Sequence, residues 1–152
     1  MTQYHFSMKV KFNPRELTIV DFLQSFAQFN IQLLEMSIKN TELTGVEVDF
    51  SLHLDNPAKA SFLLKDLKKL EFLRLSHNNI EDVTPLAGLT KLKGLDLHYN
   101  VTVTKEEGKE VKSKGITEVS EAIKDMKELE FLDLSANRIT NVKGLENLTH
   151  IK

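Results

Sequence analysis

The sequence predicts an α/β protein in which a short solenoid of parallel strands follows a smaller α+β segment. Two observations predict this class. The pattern Leu-x-x-Leu-x-Leu-x-x-Asn begins at Leu70, Leu92 and Leu129. Ahead of it, residues 4–12 and 46–54 alternate polar and apolar side chains, which is typical of strands with one buried face. The first pattern indicates stacked repeat units and the second indicates a sheet that precedes them.

The first 56 residues predict the order strand, helix, strand, strand. The first strand is the alternating run 4–12, and Asn13-Pro14 then begins a helix whose apolar residues recur at helical spacing up to Asn30. Residues 31–39 and 46–54 form the second and third strands, and Thr41–Gly45 joins them as a hairpin loop. Asn56 and Pro57 then cap a further helix, and a strand follows it. The helix is expected at 57–70 and the strand at 72–76.

Two interpretations of this N-terminal half stay open. The βαββαβ order matches a ferredoxin-like sandwich and resembles ACT-type regulatory domains in outline. Alternatively, residues 36–46 are part of degenerate repeats, because they align with residues 73–83 at an offset of 37. In either case the segment covers the hydrophobic end of the first repeat. We therefore divide the chain into an α+β cap at 1–56 and repeats at 57–152.

The repeat half is regular in the residues that follow each asparagine. Asn78 and Asn100 are 22 residues apart, and the apolar residues between them fall three apart, which suits 3₁₀-like turns. The stretch 80–92 resembles the leucine-rich repeats of the 22-residue, internalin-like class, and the resemblance extends from about residue 60 to the end. It implies parallel strands on a concave face, convex 3₁₀ or helical returns, and protein binding. The asparagines are expected inside, where an amide can satisfy unpaired backbone groups.

One repeat unit is expanded. Asn100 and Asn137 are 37 residues apart, and 14 of the 15 added residues align with the segment 101–115. That segment is charged and contains Gly108 and Gly115, so it is expected to be an exposed excursion. It is either a solvated insertion with no role or a binding loop.

Composition excludes several classes of function. A net charge of −2 and a pI near 6.2 give no positive electrostatic field that would attract the phosphates of nucleic acid. The absence of cysteine excludes a disulfide framework and a thiolate nucleophile. The N-terminus lacks the continuous apolar core of a signal peptide, and no apolar run approaches the length of a membrane span. We therefore expect a cytoplasmic protein that binds neither nucleic acid nor membrane.

The sequence offers only weak candidates for a metal site or a catalytic site. His77 and His98 are expected on neighbouring strands with Asp96 and Asp133 on the same face, but a metal site needs three or four converging ligands. Ser76 next to His77 suggests a hydrolytic triad, yet adjacent residues on a strand point to opposite sides. The sequence therefore predicts no enzyme, no metal and no cofactor.

The residues between the inward leucines are expected to face solvent in columns that cross the repeats. Exposed aromatic residues beside arginine are typical interface anchors, although the phenylalanines could instead pack on flanking structure. The predicted partner-binding residues are Phe72, Arg74, His77, Asp96, His98, Tyr99, Phe131 and Asp133. The predicted function is a non-enzymatic scaffold that binds another protein on the concave face. The alternative is a small-molecule-sensing regulatory half coupled to a repeat or dimerisation module.

Self-association is a further expectation. The sequence ends at Ile151-Lys152, at a repeat boundary and without a polar capping segment. The last repeat is therefore expected to present an open end to a second copy.

Overall fold

The computed structural model describes residues 4–41, 45–56, 59, 63 and 68–152. Eight strands are described: β1 (Tyr4–Phe12), β2 (Gln32–Thr41), β3 (Gly45–Leu54), β4 (Phe72–Arg74), β5 (Gly94–Asp96), β6 (Thr102–Glu106), β7 (Lys109–Lys114) and β8 (Phe131–Asp133). The α-helices are α1 (Ile19–Gln28) and α2 (Ser120–Ile123), and 3₁₀ helices span Thr84–Gly88 and Leu145–Asn147. No described helix is long and apolar enough to cross a membrane.

Six of these strands form one mixed sheet that runs from the N-terminal half into the repeats. Its order is β2-β3-β1-β4-β5-β8. The first four strands pair antiparallel, whereas β4, β5 and β8 pair in parallel. Strand β1 is thus the neighbour of the first repeat strand, and the two halves of the chain share one sheet.

The alternating runs form strands for the expected reason. Phe6, Met8, Val10 and Phe12 of β1 are buried, whereas His5 and Ser7 on either side of Phe6 are exposed. Helix α1 covers the apolar side, where its Phe22 ring lies 5.3 Å from the rings of both Phe12 and Phe50. This core continues without a break into the buried leucines of the repeats.

Helix α1 begins later than Asn13-Pro14, where the sequence analysis placed its start. Asn13 instead begins a turn, since its carbonyl accepts from the backbone N–H groups of Glu16 and Leu17. The helix starts after Thr18, which forms a reciprocal capping box with Asp21. The helix ends near Asn30, which has the left-handed φ of 53°.

Strand β2 does not occupy a repeat position. A degenerate repeat would place residues 36–38 parallel to β4, but β2 pairs antiparallel with β3 at the far end of the sheet. Residues 42–44 of the expected hairpin loop lie outside the described residues, as do Pro57 and most of the helix expected at 57–70. Residues 59 and 63 of that helix are described and are helical.

The insertion is an ordered β-hairpin. Strands β6 and β7 pair antiparallel, and Glu107 and Gly108 form the turn with φ values of 52° and 76°. Two successive residues with positive φ make the kind of turn that matches the twist of a hairpin. The described side chains of the excursion are mostly exposed, as expected, and its strands are not apparent in the sequence because lysine and glutamate dominate them.

Candidate functional site: the open face of the sheet

A ladder of asparagine side chains fixes where each repeat strand ends. Asn100 is fully buried, and its Oδ1 accepts from the N–H groups of Asn78 and Ile80 at 3.0 and 3.1 Å. Its Nδ2 donates to the carbonyls of Leu75 and Leu97 at 3.1 and 2.8 Å. All four partners are backbone groups. The amide therefore satisfies both kinds of unpaired group at the turn, as its position in the pattern predicts.

The same ladder reaches the N-terminal half. Asn137 accepts from the N–H of Asn100 at 3.0 Å, which repeats the bond one unit later. Asn78 has no preceding repeat, and its amide instead bonds both the N–H and the carbonyl of Ser7 at 2.8 and 2.6 Å. Strand β1 therefore occupies the position that a preceding repeat strand would have next to the first repeat.

The sheet face opposite the core, which we call the open face, carries five of the eight predicted binding residues in register. Phe72, Gly94 and Phe131 are partners across the parallel strands. Arg74, Asp96 and Asp133 are partners in the next row. This is the register that the repeat spacing predicts, because equal spacing puts equivalent side chains side by side.

Asp96 departs from the expectation that its row is exposed. Its residue exposure is only 6%, because it is on the middle strand and its carboxylate is engaged from two sides. Arg74 Nε donates to Asp96 Oδ2 at 2.9 Å, and the His98 N–H donates to Asp96 Oδ1 at 2.9 Å. Asp96 therefore orients Arg74, whose side chain stays 46% exposed. Arg74 is the group that a partner would meet.

Hydrogen bonds from Ser135 favour the ionised form of the Asp133 carboxyl. The Ser135 hydroxyl and backbone N–H both donate to Asp133, and these bonds lower the pKa of that carboxyl. Burial raises the pKa but is weaker than these bonds, and electrostatic interactions with His98 and Arg74 lower it by still smaller amounts. His98 Nδ1 lies 2.8 Å from the Ser135 hydroxyl oxygen. Because that hydroxyl gives its proton to Asp133, His98 is not placed to act as its base.

An aromatic stack lies at one end of the open face. The rings of Phe72 and Phe131 are stacked with centroids 6.4 Å apart, across the intervening strand β5. Gly94 makes this possible, since a Cβ there would lie 2.2 Å from Phe72 Cδ2. The two phenylalanines thus pack on each other over a glycine, and Phe131 remains 47% exposed.

A second ring cluster lies at the other end of the strands. The His77 and Tyr99 rings are stacked at 4.9 Å, and the His98 ring is 5.4 Å from His77. His77 and Tyr99 have left-handed φ values of 60° and 53°, which are uncommon for residues other than glycine, although histidine adopts them more often than most. The local hydrogen bonds hold this backbone, since the His77 N–H donates to the carbonyls of His98 and Tyr99.

The open face continues across the N-terminal strands, which the sequence analysis did not include. A groove of about 550 Å³ lies beside Arg74. Polar side chains from four strands contribute to its lining: His5, Ser7, Lys9, Glu35, Ser37, Asp49, Ser51, Arg74 and Ser76. The alternation of β1 already marked His5, Ser7 and Lys9 as facing away from the core. Their position beside Arg74 was hidden because it depends on the pairing of β1 with β4.

The described residues include no cluster that could hold a metal ion. Within residues 4–41, 45–56 and 68–152, no group of three or more histidine, aspartate or glutamate side chains could hold a metal ion. His77 and His98 do approach each other, but their rings meet edge to face with centroids 5.4 Å apart. What the open face offers is an ordered surface of rings and charges.

Comparison with known proteins supports the repeat. A family model described as leucine-rich repeats, in two copies, matches residues 68–104. No curated protein matches the chain. Among solved structures, an internalin from Listeria monocytogenes is 26% identical over 59% of this chain and 22% of that chain, with a TM-score of 0.46. The alignment thus spans about a fifth of that internalin. The predicted repeat is confirmed over residues 68–104, which match two leucine-rich repeats.

Proposed function

We propose that the chain is a non-enzymatic scaffold that binds another protein on its open face. Leucine-rich repeats are solenoid units whose exposed strand surface is used for recognition. The open face supports this use here, because it combines exposed aromatic rings with an arginine. These are the residue types that dominate the energetics of protein interfaces.

The observation that carries the proposal is the pre-ordering of these side chains. Phe131 is stacked on Phe72, Tyr99 is stacked on His77, and Arg74 is held by Asp96 at 2.9 Å. Immobilising a rotamer-rich side chain on binding costs about 0.5–1.5 kcal/mol, and a side chain already fixed avoids most of that cost. A rigid row of anchors therefore favours a protein partner.

We infer that the N-terminal half is a ferredoxin-like cap whose last strand is the first repeat strand. The supporting observations are the βαββ order and the antiparallel sheet order β2-β3-β1-β4. On this interpretation β4 belongs both to the cap and to the repeats. A domain boundary between residues 56 and 57 then separates strands that share one sheet. The cap then protects the first repeat and also widens the binding face by three strands.

Removing the anchors should abolish partner capture without unfolding the protein. The test variant combines Arg74→Ala, Asp96→Asn and Tyr99→Ala. Asp96 is neutralised together with Arg74 because a nearly buried carboxylate without its cation would itself destabilise the fold. Alanine is tolerated at the Tyr99 position, since Ala136 occupies it in the last repeat with a φ of 54°. The measurement is a pull-down from lysate with the immobilised intact chain, compared with wild type.

The matched control carries Thr90→Ala and Lys127→Ala, two exposed positions outside the repeat strands. Proteins captured by wild type and by this control should be lost from the triple variant, while thermal unfolding shows that all three chains are folded. If the triple variant captures the same proteins as wild type, the partner surface is elsewhere.

The groove beside Arg74 favours one second candidate, the sensing of a small polar molecule. Its lining carries both charges, with Lys9 and Arg74 near Asp49 and Glu35. A zwitterion such as an amino acid would match that lining. Thermal-shift screening of the intact chain against amino acids and nucleotides separates the two functions, because a ligand at 100 times its dissociation constant adds about 2.7 kcal/mol. A shift that Arg74→Ala removes would favour sensing over protein binding.

A further inference from the structure

Strand β2 ends the six-stranded sheet with an edge that is long and apolar. It spans ten residues, and its outer side has no neighbouring strand in the sheet that the structure describes. Leu34, Met36 and Ile38 are 41%, 38% and 47% exposed. Such an edge presents unpaired backbone groups and invites another strand, and proteins normally protect it with proline or inward charges. β2 contains no proline.

The exposure of Met36 and Ile38 has a structural cause. These residues pair with Phe50 and Val48 of β3, so they lie on the core side of the sheet. Helix α1 is centred over β1 and β3, as the contacts of Phe22 with Phe12 and Phe50 show. Helix α1 therefore leaves Met36 and Ile38 partly exposed, and the apolar layer continues past this helix to the edge.

The other side of β2 is charged in a particular order. Glu35, Ser37 and Lys39 pair with Ser51, Asp49 and Glu47, so they lie on the open face. The order acid, serine, base is self-complementary, because reversing the strand about Ser37 brings Lys39 opposite Glu35. The same reversal brings Ile38 opposite Met36.

We propose that β2 pairs antiparallel with β2 of a second copy of this chain, about a two-fold axis at Ser37. In this register each Glu35 faces Lys39 of the other copy on the open face, and each Met36 faces Ile38 of the other copy on the core side. Opposite charges and apolar pairs directly across strands both stabilise a sheet. A two-fold axis at Met36 would place Glu35 opposite Ser37, so the neighbouring register forms no ion pair.

The irregularity in β2 does not block this pairing. The register shift between Leu33 and Glu35 lies at the beginning of the strand, and residues 35–39 follow it in regular register with β3. Among the described side chains, neither Glu35 nor Lys39 makes an ion pair within the chain. Both charges are therefore available to the second copy. The paired molecule has one twelve-stranded sheet with two open faces side by side.

Charge exchange tests the register directly. Glu35→Lys places lysine opposite lysine at both symmetric positions, and Lys39→Glu places glutamate opposite glutamate. Sedimentation of the intact wild-type chain over a concentration series should show a monomer–dimer equilibrium, and each single variant should weaken it by at least about tenfold. An equimolar mixture of the two variants should restore the dimer, because the mixed pair contains only opposite charges.

A cysteine at the axis gives a second, independent measurement. Ser37→Cys introduces the only thiol in the chain, since the sequence contains no cysteine. Mild oxidation should convert this variant into a covalent dimer, whereas Thr90→Cys should remain monomeric under the same conditions. The proposal is overturned if wild type is monomeric throughout, or if both charge variants dimerise as wild type does. The latter outcome would place self-association on another surface, such as the end of the last repeat.

Discussion

Replacing Asn100 with alanine is expected to lower the free energy of unfolding by about 4 kcal/mol or more. The change leaves four backbone groups without a partner, namely the N–H groups of Asn78 and Ile80 and the carbonyls of Leu75 and Leu97. Each buried polar group left unsatisfied costs about 1–3 kcal/mol. Asn100 itself is 0% exposed, so water reaches these groups poorly. Urea unfolding followed by circular dichroism measures the loss.

Asn137→Ala is the matched comparison. Asn137 makes equivalent bonds to the N–H of Asn100 and to the carbonyls of Leu97 and Leu134, but it is only partly buried. Water can replace some of its bonds, so its loss should cost less than the loss of Asn100. Asn100→Asp provides a second comparison. The carboxylate keeps an acceptor for the two N–H groups, but its other oxygen replaces the donor and lies against the two carbonyl oxygens, which it repels. Equal stability of the two alanine variants would contradict the assigned role of burial.

The residues that could be predicted from sequence are those whose role depends on local spacing. The leucines and asparagines recur at fixed intervals, and the register Arg74, Asp96 and Asp133 follows from those intervals alone. The alternating runs likewise identified β1 and β3, because a strand with one buried face has a period of two. Local spacing was therefore sufficient for element type and for the columns of side chains on the open face.

What could not be predicted depends on contacts between distant segments. The burial of Asp96 requires Arg74 and the His98 backbone to close over it, and the groove requires β1 to lie against β4. The hairpin β6–β7 has little apolar alternation, and its turn is marked only by Glu107-Gly108. The late start of helix α1 is the one local case, because Thr18 and Asp21 form a reciprocal capping box there. The other outcomes were decided by the pairing of segments rather than by the period of the sequence.

Phe50→Ala is expected to cost about 3–5 kcal/mol, the usual range for removing a buried phenylalanine. Phe50 is 2% exposed and lies in the middle of β3, where its ring is 5.3 Å from Phe22 and 5.0 Å from Phe26. The cavity would open between α1 and the sheet, and neither element can close it without losing its other contacts. Phe131→Ala removes the same ring from a site that is 47% exposed and should cost less than about 1 kcal/mol.

The same variant shows whether cap and repeats unfold together. Strand β1 pairs with β4, and Asn78 bonds both backbone groups of Ser7, so loss of the cap removes partners from the first repeat. Hydrogen exchange of Phe50→Ala should therefore accelerate in β4 and β5 as well as in β1 and β3. Faster exchange confined to β1, β2, β3 and α1 would show that the repeats hold without the cap. Because the shared sheet leaves no edge between the two halves, we expect one cooperative unit.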